Sequence, residues 1–125
     1  MIYLDTHVVV WLYAGETGLF PEKVKDAIEE NDLLISPIVL LELQYLNEIG
    51  RLNVPPTLIF ENLASCIGLK SCDLSLMQLI SEAILQTWTR DPFDRMITAA
   101  AVARNVHLIT KDQLILEKYP KALWG

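Results

Sequence analysis

The sequence predicts an α/β domain whose mostly parallel sheet is covered by helices on both faces. Three observations carry this. Short apolar runs of strand length recur along the chain, at Met1–Leu4, Leu33–Ser36 and Val106–Thr110. The longer segments between them place apolar residues at helical spacing. Prolines and capping residues stand where those segments begin, and glycine or asparagine where they end. Strands separated by helices imply right-handed crossovers, which leave the strands parallel and buried on both sides.

Taken in order, Met1–Leu4 reads as a buried strand that ends at Asp5, and Val8–Leu12 as a helix after a turn at Thr6 and His7. Pro21 opens a helix over Glu22–Glu30, with Val24, Ala27 and Ile28 at helical spacing. Leu33–Ser36 is the second strand. Ser36 and Pro37 read as cap and first residue of a helix that runs to Ile49 and stops at Gly50. Pro55 and Pro56 open the next helix, whose stripe of Leu58, Ile59, Leu63, Cys66 and Ile67 points to the core before Gly68.

Leu69–Leu74 reads as a short strand. Ser75 caps a helix predicted through Trp88, with Leu76, Leu79, Ile80, Ala83 and Ile84 inward. Asp91 and Pro92 then supply cap and first helical residue for an alanine-rich helix ending near Asn105. Val106–Thr110 is a strand, and Leu123 with Trp124 a last sheet edge. No internal repeat or low-complexity stretch interrupts the pattern.

At 125 residues, the chain is long enough for one real core and too short for a second domain. With 52% hydrophobic residues and mean hydropathy +0.31, disorder is excluded. No apolar run approaches the roughly 20 residues that cross a bilayer. Asp5 and His7 interrupt the N-terminal apolar segment too early for a secretion signal, so a soluble, cytoplasmic protein without membrane contact is expected. Cys66 and Cys72 have no histidine near them in a zinc pattern and read as buried free thiols. Sixteen acids against ten bases give a net charge of −6, the wrong sign for a general nucleic-acid binder. A polyanionic substrate would need divalent cations, or a basic partner would have to cover the acidic surface.

Several acids have readings that compete. Asp5 and Asp112 follow the first and the Val106–Thr110 strands, at the sheet edge where open α/β sheets place their sites; each could equally cap the next helix. Asp91 caps its helix, and Asp91, Asp94, Arg95 and Thr98 fall on one helical face. Asp94 could complete a capping arrangement favoured by the helix dipole. Glu42 is harder to place locally, since its angular position on the Ile38–Ile49 helix lies among Ile38, Leu41, Tyr45 and Leu46. A glutamate facing the interior either pairs with an arginine or joins other acids around a cation. Converging carboxylates raise one another's pKa unless a hard cation holds them, and Mg²⁺ or Mn²⁺ suits oxygen ligands.

Asp5-Thr6 after the first strand, Glu42 within Leu40-Leu41-Glu42-Leu43, Asp94 opening an alanine-rich helix, and Thr110-Lys111-Asp112 after a strand together resemble the PIN domain. The likeness spans nearly the whole chain. Within the family it is similar to the small VapC-like toxins of toxin–antitoxin pairs, and the string Asp91-Pro92-Phe93-Asp94-Arg95 is typical of one branch.

The resemblance implies a three-layer α/β/α sandwich and a metal-dependent endoribonuclease, homodimeric and inhibited by a cognate antitoxin. Asp5, Glu42, Asp94 and Asp112 match the acidic quartet, as catalytic residues and as ligands to Mg²⁺ or Mn²⁺. Thr6 and Thr110 match positions where a small hydroxyl orients an acid or a water on the metal, and Asp91 is a cap with outer contact to the site. Asp5 and Asp94 are the expected direct ligands, and the products would carry 5′-phosphate and 3′-hydroxyl ends.

Arg90 and Arg95 either bind flanking phosphates or offset the acid cluster. His7 and His107 read as structural, and Trp11, Trp88 and Trp124 as core or interface. Leu12, Tyr13 and Ile49 are either core or a groove for an antitoxin helix. Two other functions fit parts of the pattern. One is a binding module of the same fold whose acids hold a structural cation. The other is a phosphotransferase using Asp5 as nucleophile, weakened by His7 standing where such chemistry wants a second aspartate.

Overall fold

The computed structural model describes residues 1–125. Strand β1 (Ile2–Leu4) leads into helix α1 (Thr6–Ala14), and after a single 3₁₀ turn come α2 (Glu22–Glu30) and β2 (Leu33–Ile35). Helices α3 (Ile38–Glu48) and α4 (Pro56–Ile67) lead to β3 (Lys70–Ser71), and α5 (Leu76–Leu85) and α6 (Pro92–Arg104) to β4 (Leu108–Ile109). Helix α7 (Gln113–Lys118) and β5 (Ala122–Leu123) complete the chain. The strands form one sheet in the order β3-β2-β1-β4-β5, and every pairing is parallel. The predicted fold class holds, a three-layer α/β/α sandwich with no antiparallel edge.

The central strands are apolar throughout because both faces are covered: Ile2, Tyr3 and Leu4 are all buried, as are Leu33, Leu34 and Ile35. Helix α6 is the most enclosed helix, buried continuously from Met96 to Ala101. Its alanines let it lie close against its neighbours, α5 on one side and β1 on another.

Four expectations fail at the helix surfaces. On α5 only Leu79 and Ala83 are buried; Leu76, Ile80 and Ile84 are exposed, as are Met77 and Leu85. On α4 only Ile59 and Leu63 reach the core, leaving Leu58, Cys66 and Ile67 outside, so one of the two free thiols is exposed. On α3 the buried residues are Val39 and Leu43, while Leu41, Tyr45 and Ile49 face outward. In each case the apolar sector is wider than the part that the core covers. Ser36 also does not cap α3: its hydroxyl is buried without a partner, and its carbonyl accepts the Val39 N–H at 2.9 Å.

Helix α5 stops three residues short of Trp88, and the cause lies on α6. The Arg95 guanidinium donates to the Ala83 carbonyl at 3.1 Å and the Ile84 carbonyl at 3.2 Å, satisfying the free end of α5.

Candidate active site

Strand order reverses between β1 and β4, and open α/β sheets bind ligands beyond the carboxyl ends of strands at such a switch point. Asp5 sits there, directly after β1. Leu4 pairs with Ile109, so Asp5 comes level with Thr110, whose hydroxyl donates to Asp5 Oδ2 at 2.6 Å. Asp5 Oδ1 accepts the Thr6 N–H at 2.8 Å. Burial pushes the Asp5 carboxyl above its ordinary pKa, against the opposing pull of these two hydrogen bonds and of His7, and Asp112 adds to the rise.

The capping and clustering readings of the acids both hold. Asp91 Oδ1 accepts the N–H groups of Phe93 at 2.8 Å and Asp94 at 3.2 Å, capping α6. Asp112 Oδ1 accepts the Ile115 N–H at 2.9 Å, capping α7, while its own N–H donates to Thr110 Oγ1 at 3.0 Å. Asp5 is the cap of α1. Three helix N-termini therefore converge on one spot, each presenting a carboxylate with its dipole in support.

Glu42 and Asp94 have no such local task. Glu42 is half-buried at the border between the covered and exposed sides of α3, and burial raises its pKa; Asp5 and Asp91 add to the rise, while the Thr6 hydroxyl and His7 oppose it. That hydroxyl faces Glu42 without forming a hydrogen bond of normal geometry. Asp94 has no stabilising neighbour. Burial, followed by the carboxylates of Asp91, Asp5, Asp112 and Glu42, pushes its pKa up to about 7.

All five acids line one open cleft of about 490 Å³, together with His7, Trp11, Lys111 and Gln113. Arg90 and Arg95 do not line it. Arg90 donates to the Thr87 carbonyl at 3.0 Å, and Arg95 turns from the Asp94 side of α6 towards α5. The 100° between successive helical residues is enough to part Arg95 from the acid beside it. His107 also lies elsewhere, its Nδ1 3.0 Å from the Lys121 carbonyl. Trp88 donates to the Gln86 side chain at 2.9 Å, and Leu12 and Tyr13 are half-buried against the core.

The five carboxylates of the cleft offer oxygen ligands, the chemistry of a hard divalent ion. Buried hydroxyls of Thr6, Ser36 and Thr98 have no partner. Thr6 adjoins Asp5 in sequence, the β1–β2 register brings Ser36 level with Asp5, and Thr98 follows Asp94 by one helical turn. They lie behind the cleft rather than in its lining, where unpaired buried hydroxyls are costly unless water reaches them. No three His, Cys, Asp or Glu side chains stand close enough to enclose an ion by themselves. The residues thus fit an ion that keeps several waters, as Mg²⁺ commonly does.

Four cleft residues lie outside the site expected from the sequence: His7, Trp11, Lys111 and Gln113. Lys111 is the one lysine or arginine in the lining, and Trp11 is half-exposed in the wall rather than core. The alternation of Thr110, Lys111 and Asp112 after a strand is the signal that could have found Lys111, since residues at a strand end share its sheet edge.

The family model for the PIN domain matches residues 2–121. Among solved structures, the chain is similar to one in VapBC2 from Rickettsia felis bound to a promoter DNA fragment, at TM-score 0.66 and 23% identity, with both chains covered in full. A toxin–antitoxin complex from Klebsiella pneumoniae gives TM-score 0.65 and 16% identity, covering 98% of this chain and 96% of that one. DNA-bound VapBC from Salmonella typhimurium gives 0.58 and 22%, covering 97% and 93%. Curated protein sequences contain no significant match.

Proposed function

The chain belongs to the PIN-domain family, and on that premise we propose that it is a metal-dependent endoribonuclease, the toxin of a toxin–antitoxin pair. Members of this family are generally nucleases. The observation that carries the reading is Asp94, a carboxyl with four other carboxylates around it and nothing on the protein to neutralise it. Such a group either keeps a proton or holds a cation.

Asp5, Glu42, Asp94 and Asp112 would hold Mg²⁺ or Mn²⁺. When bound, such an ion supplies Lewis acidity that makes water nucleophilic near neutral pH and offsets charge on the phosphoryl oxygens. The chain's own residues prepare the place. Thr110 fixes Asp5 from one side and receives the Asp112 N–H from the other, so one hydroxyl sets two acids in register. Asp94 projects from the first turn of a helix locked into the core, and it must give up its proton to act as a ligand. Asp91 commits its Oδ1 to capping α6.

Two partners accompany this reading. A basic segment of an antitoxin complements the acidic cleft, in keeping with the toxin–antitoxin assemblies among the similar structures. A second copy of the chain covers the apolar surface between α3 and α5, where Leu41, Leu76, Ile80 and Ile84 are exposed beside Met96. No helix is long and apolar enough to cross a membrane.

The test is cleavage of a mixed RNA pool by protein freed of any partner, in Mn²⁺ or EDTA, with a folded Asp94→Asn variant alongside. Metal-dependent cutting that the variant loses supports the nuclease. Metal binding without cutting, on structured RNAs included, leaves the structural-cation module.

A further inference from the structure

Lys111 has an unusual seat. Its flexible chain leaves a strand end whose neighbours are Asp5, Asp94 and Asp112, yet it pairs with no carboxylate; the ion pairs of the structure are Lys25–Glu22 and Arg104–Asp73. The ammonium instead lies 5.8 Å from the Trp11 ring centroid and 6.0 Å from that of Trp124. Both are within cation–π range. The two indoles are themselves fixed: their centroids are 5.8 Å apart, and each packs on buried Phe20, at 6.4 Å and 5.6 Å. The exposed His7 ring extends the wall, 6.0 Å from Trp11. A charge held on aromatic faces keeps its attraction for an anion, and here it forms no ion pair with the acids beside it.

We propose that Lys111, positioned by Trp11 and Trp124, is the phosphate anchor of a nucleotide subsite beside the acidic cleft, binding single-stranded RNA next to the scissile phosphate. The His7–Trp11 wall gives the adjoining unpaired base an aromatic surface, as single-strand binders do. The subsite rests on the nuclease reading above and adds to it the residue that draws a polyanion to a chain of net charge −6. Trp124 does not line the cleft and is a positioning residue, acting through Lys111.

The test measures binding of a labelled single-stranded oligoribonucleotide of mixed sequence by anisotropy, over a salt series. The parent is the Asp94→Asn protein, into which Lys111→Ala, Lys111→Arg and Trp124→Leu are introduced; KM and kcat are measured for the same changes with Asp94 intact. Lys111→Ala is expected to weaken binding about tenfold and to flatten the salt slope by about 0.7, the share of one phosphate contact on a single strand. KM rises correspondingly with kcat nearly unchanged, and Lys111→Arg restores the slope. Trp124→Leu weakens binding only where Lys111 is present, a coupling that a merely structural tryptophan would not show.

Lys111→Ala protein with unchanged affinity, slope and KM overturns the proposal, including the case where the change instead loosens a bound protein partner. Should the wild-type chain neither cut nor bind RNA, the nuclease reading falls and the subsite with it. Cutting by wild type with a KM that Lys111→Ala does not move removes the subsite alone.

Discussion

Thr110 and Asp5 meet across the two strands that flank the reversal of the sheet, hydroxyl to carboxylate at 2.6 Å, although they are almost the length of the chain apart in sequence. This bond ties the order of the sheet to the geometry of the cleft. Thr110 is wholly buried, and the same hydroxyl receives the Asp112 N–H.

Thr110→Val keeps the shape and removes both bonds. We expect a folded protein less stable by about 1.5–3 kcal/mol, the range for a lost hydrogen bond to a charged group. Its Mn²⁺ affinity should fall about tenfold or more, as for other losses of a group that orients a ligand. Chemical denaturation and Mn²⁺ titration followed by electron paramagnetic resonance check the two effects separately.

Asp94 sets a pH dependence. Its folded pKa of about 7 is above the unfolded carboxyl value, so between those values the native state binds the extra proton. Stability of the metal-free protein must therefore fall as pH rises from about 4 to 7 and level off above, by about 1 kcal/mol from this half-exposed group after solvent screening. Asp94→Asn should remove that fall and make the metal-free protein the more stable one at pH 8. Added Mn²⁺ should raise the melting temperature of wild type more at pH 8 than at pH 5.5, and Asp94→Asn should lose most of that gain. Equal gains at both pH values would count against Asp94 as a ligand.

Arg95→Ala separates a helix cap from a phosphate contact. Loss of its bonds to Ala83 and Ile84 should cost about 1–2 kcal/mol by denaturation. The KM for RNA should not move, since Arg95 does not line the cleft. A raised KM with stability intact would return this arginine to the substrate.

The α3–α5 surface gives a test of assembly. Ile84 is 63% exposed, so Ile84→Asp has little to disturb within one chain. Sedimentation should show a dimer for wild type and a monomer for this variant, each with an unchanged helical spectrum. A monomeric wild type would refute the dimer.

Much of this was legible because the signals were local. Pro92 after Asp91, Gly68 after a helical stripe and Ser75 three residues before Gln78 each mark a helix end by chemistry confined to one turn. Asp5 and Asp112 were legible because strand ends share one edge of the sheet, whereas Glu42 and Asp94, both on helices, joined them only through the resemblance to the PIN domain; the structure brings all four into one cleft. What could not be read was which part of a wide apolar sector is covered. The exposed Leu76, Ile80 and Ile84 match Leu79 and Ala83 in spacing, and only the position of α6 tells them apart. Arg95 was misplaced for a related reason: its partners are carbonyls of another helix, and backbone groups leave no trace in a side-chain pattern.

The division of labour among the acids bears on how the chain could lose its chemistry over time. Asp5, Asp91 and Asp112 each hold the start of a helix, so replacing them would weaken the fold whether or not RNA is ever cut. Glu42 and Asp94 hold nothing up. In a descendant no longer selected for the proposed cleavage, these two would drift first, while the three caps would persist. On the proposed function, then, the state of Glu42 and Asp94 among divergent relatives would separate cleaving from non-cleaving chains, and the more conspicuous aspartates would not.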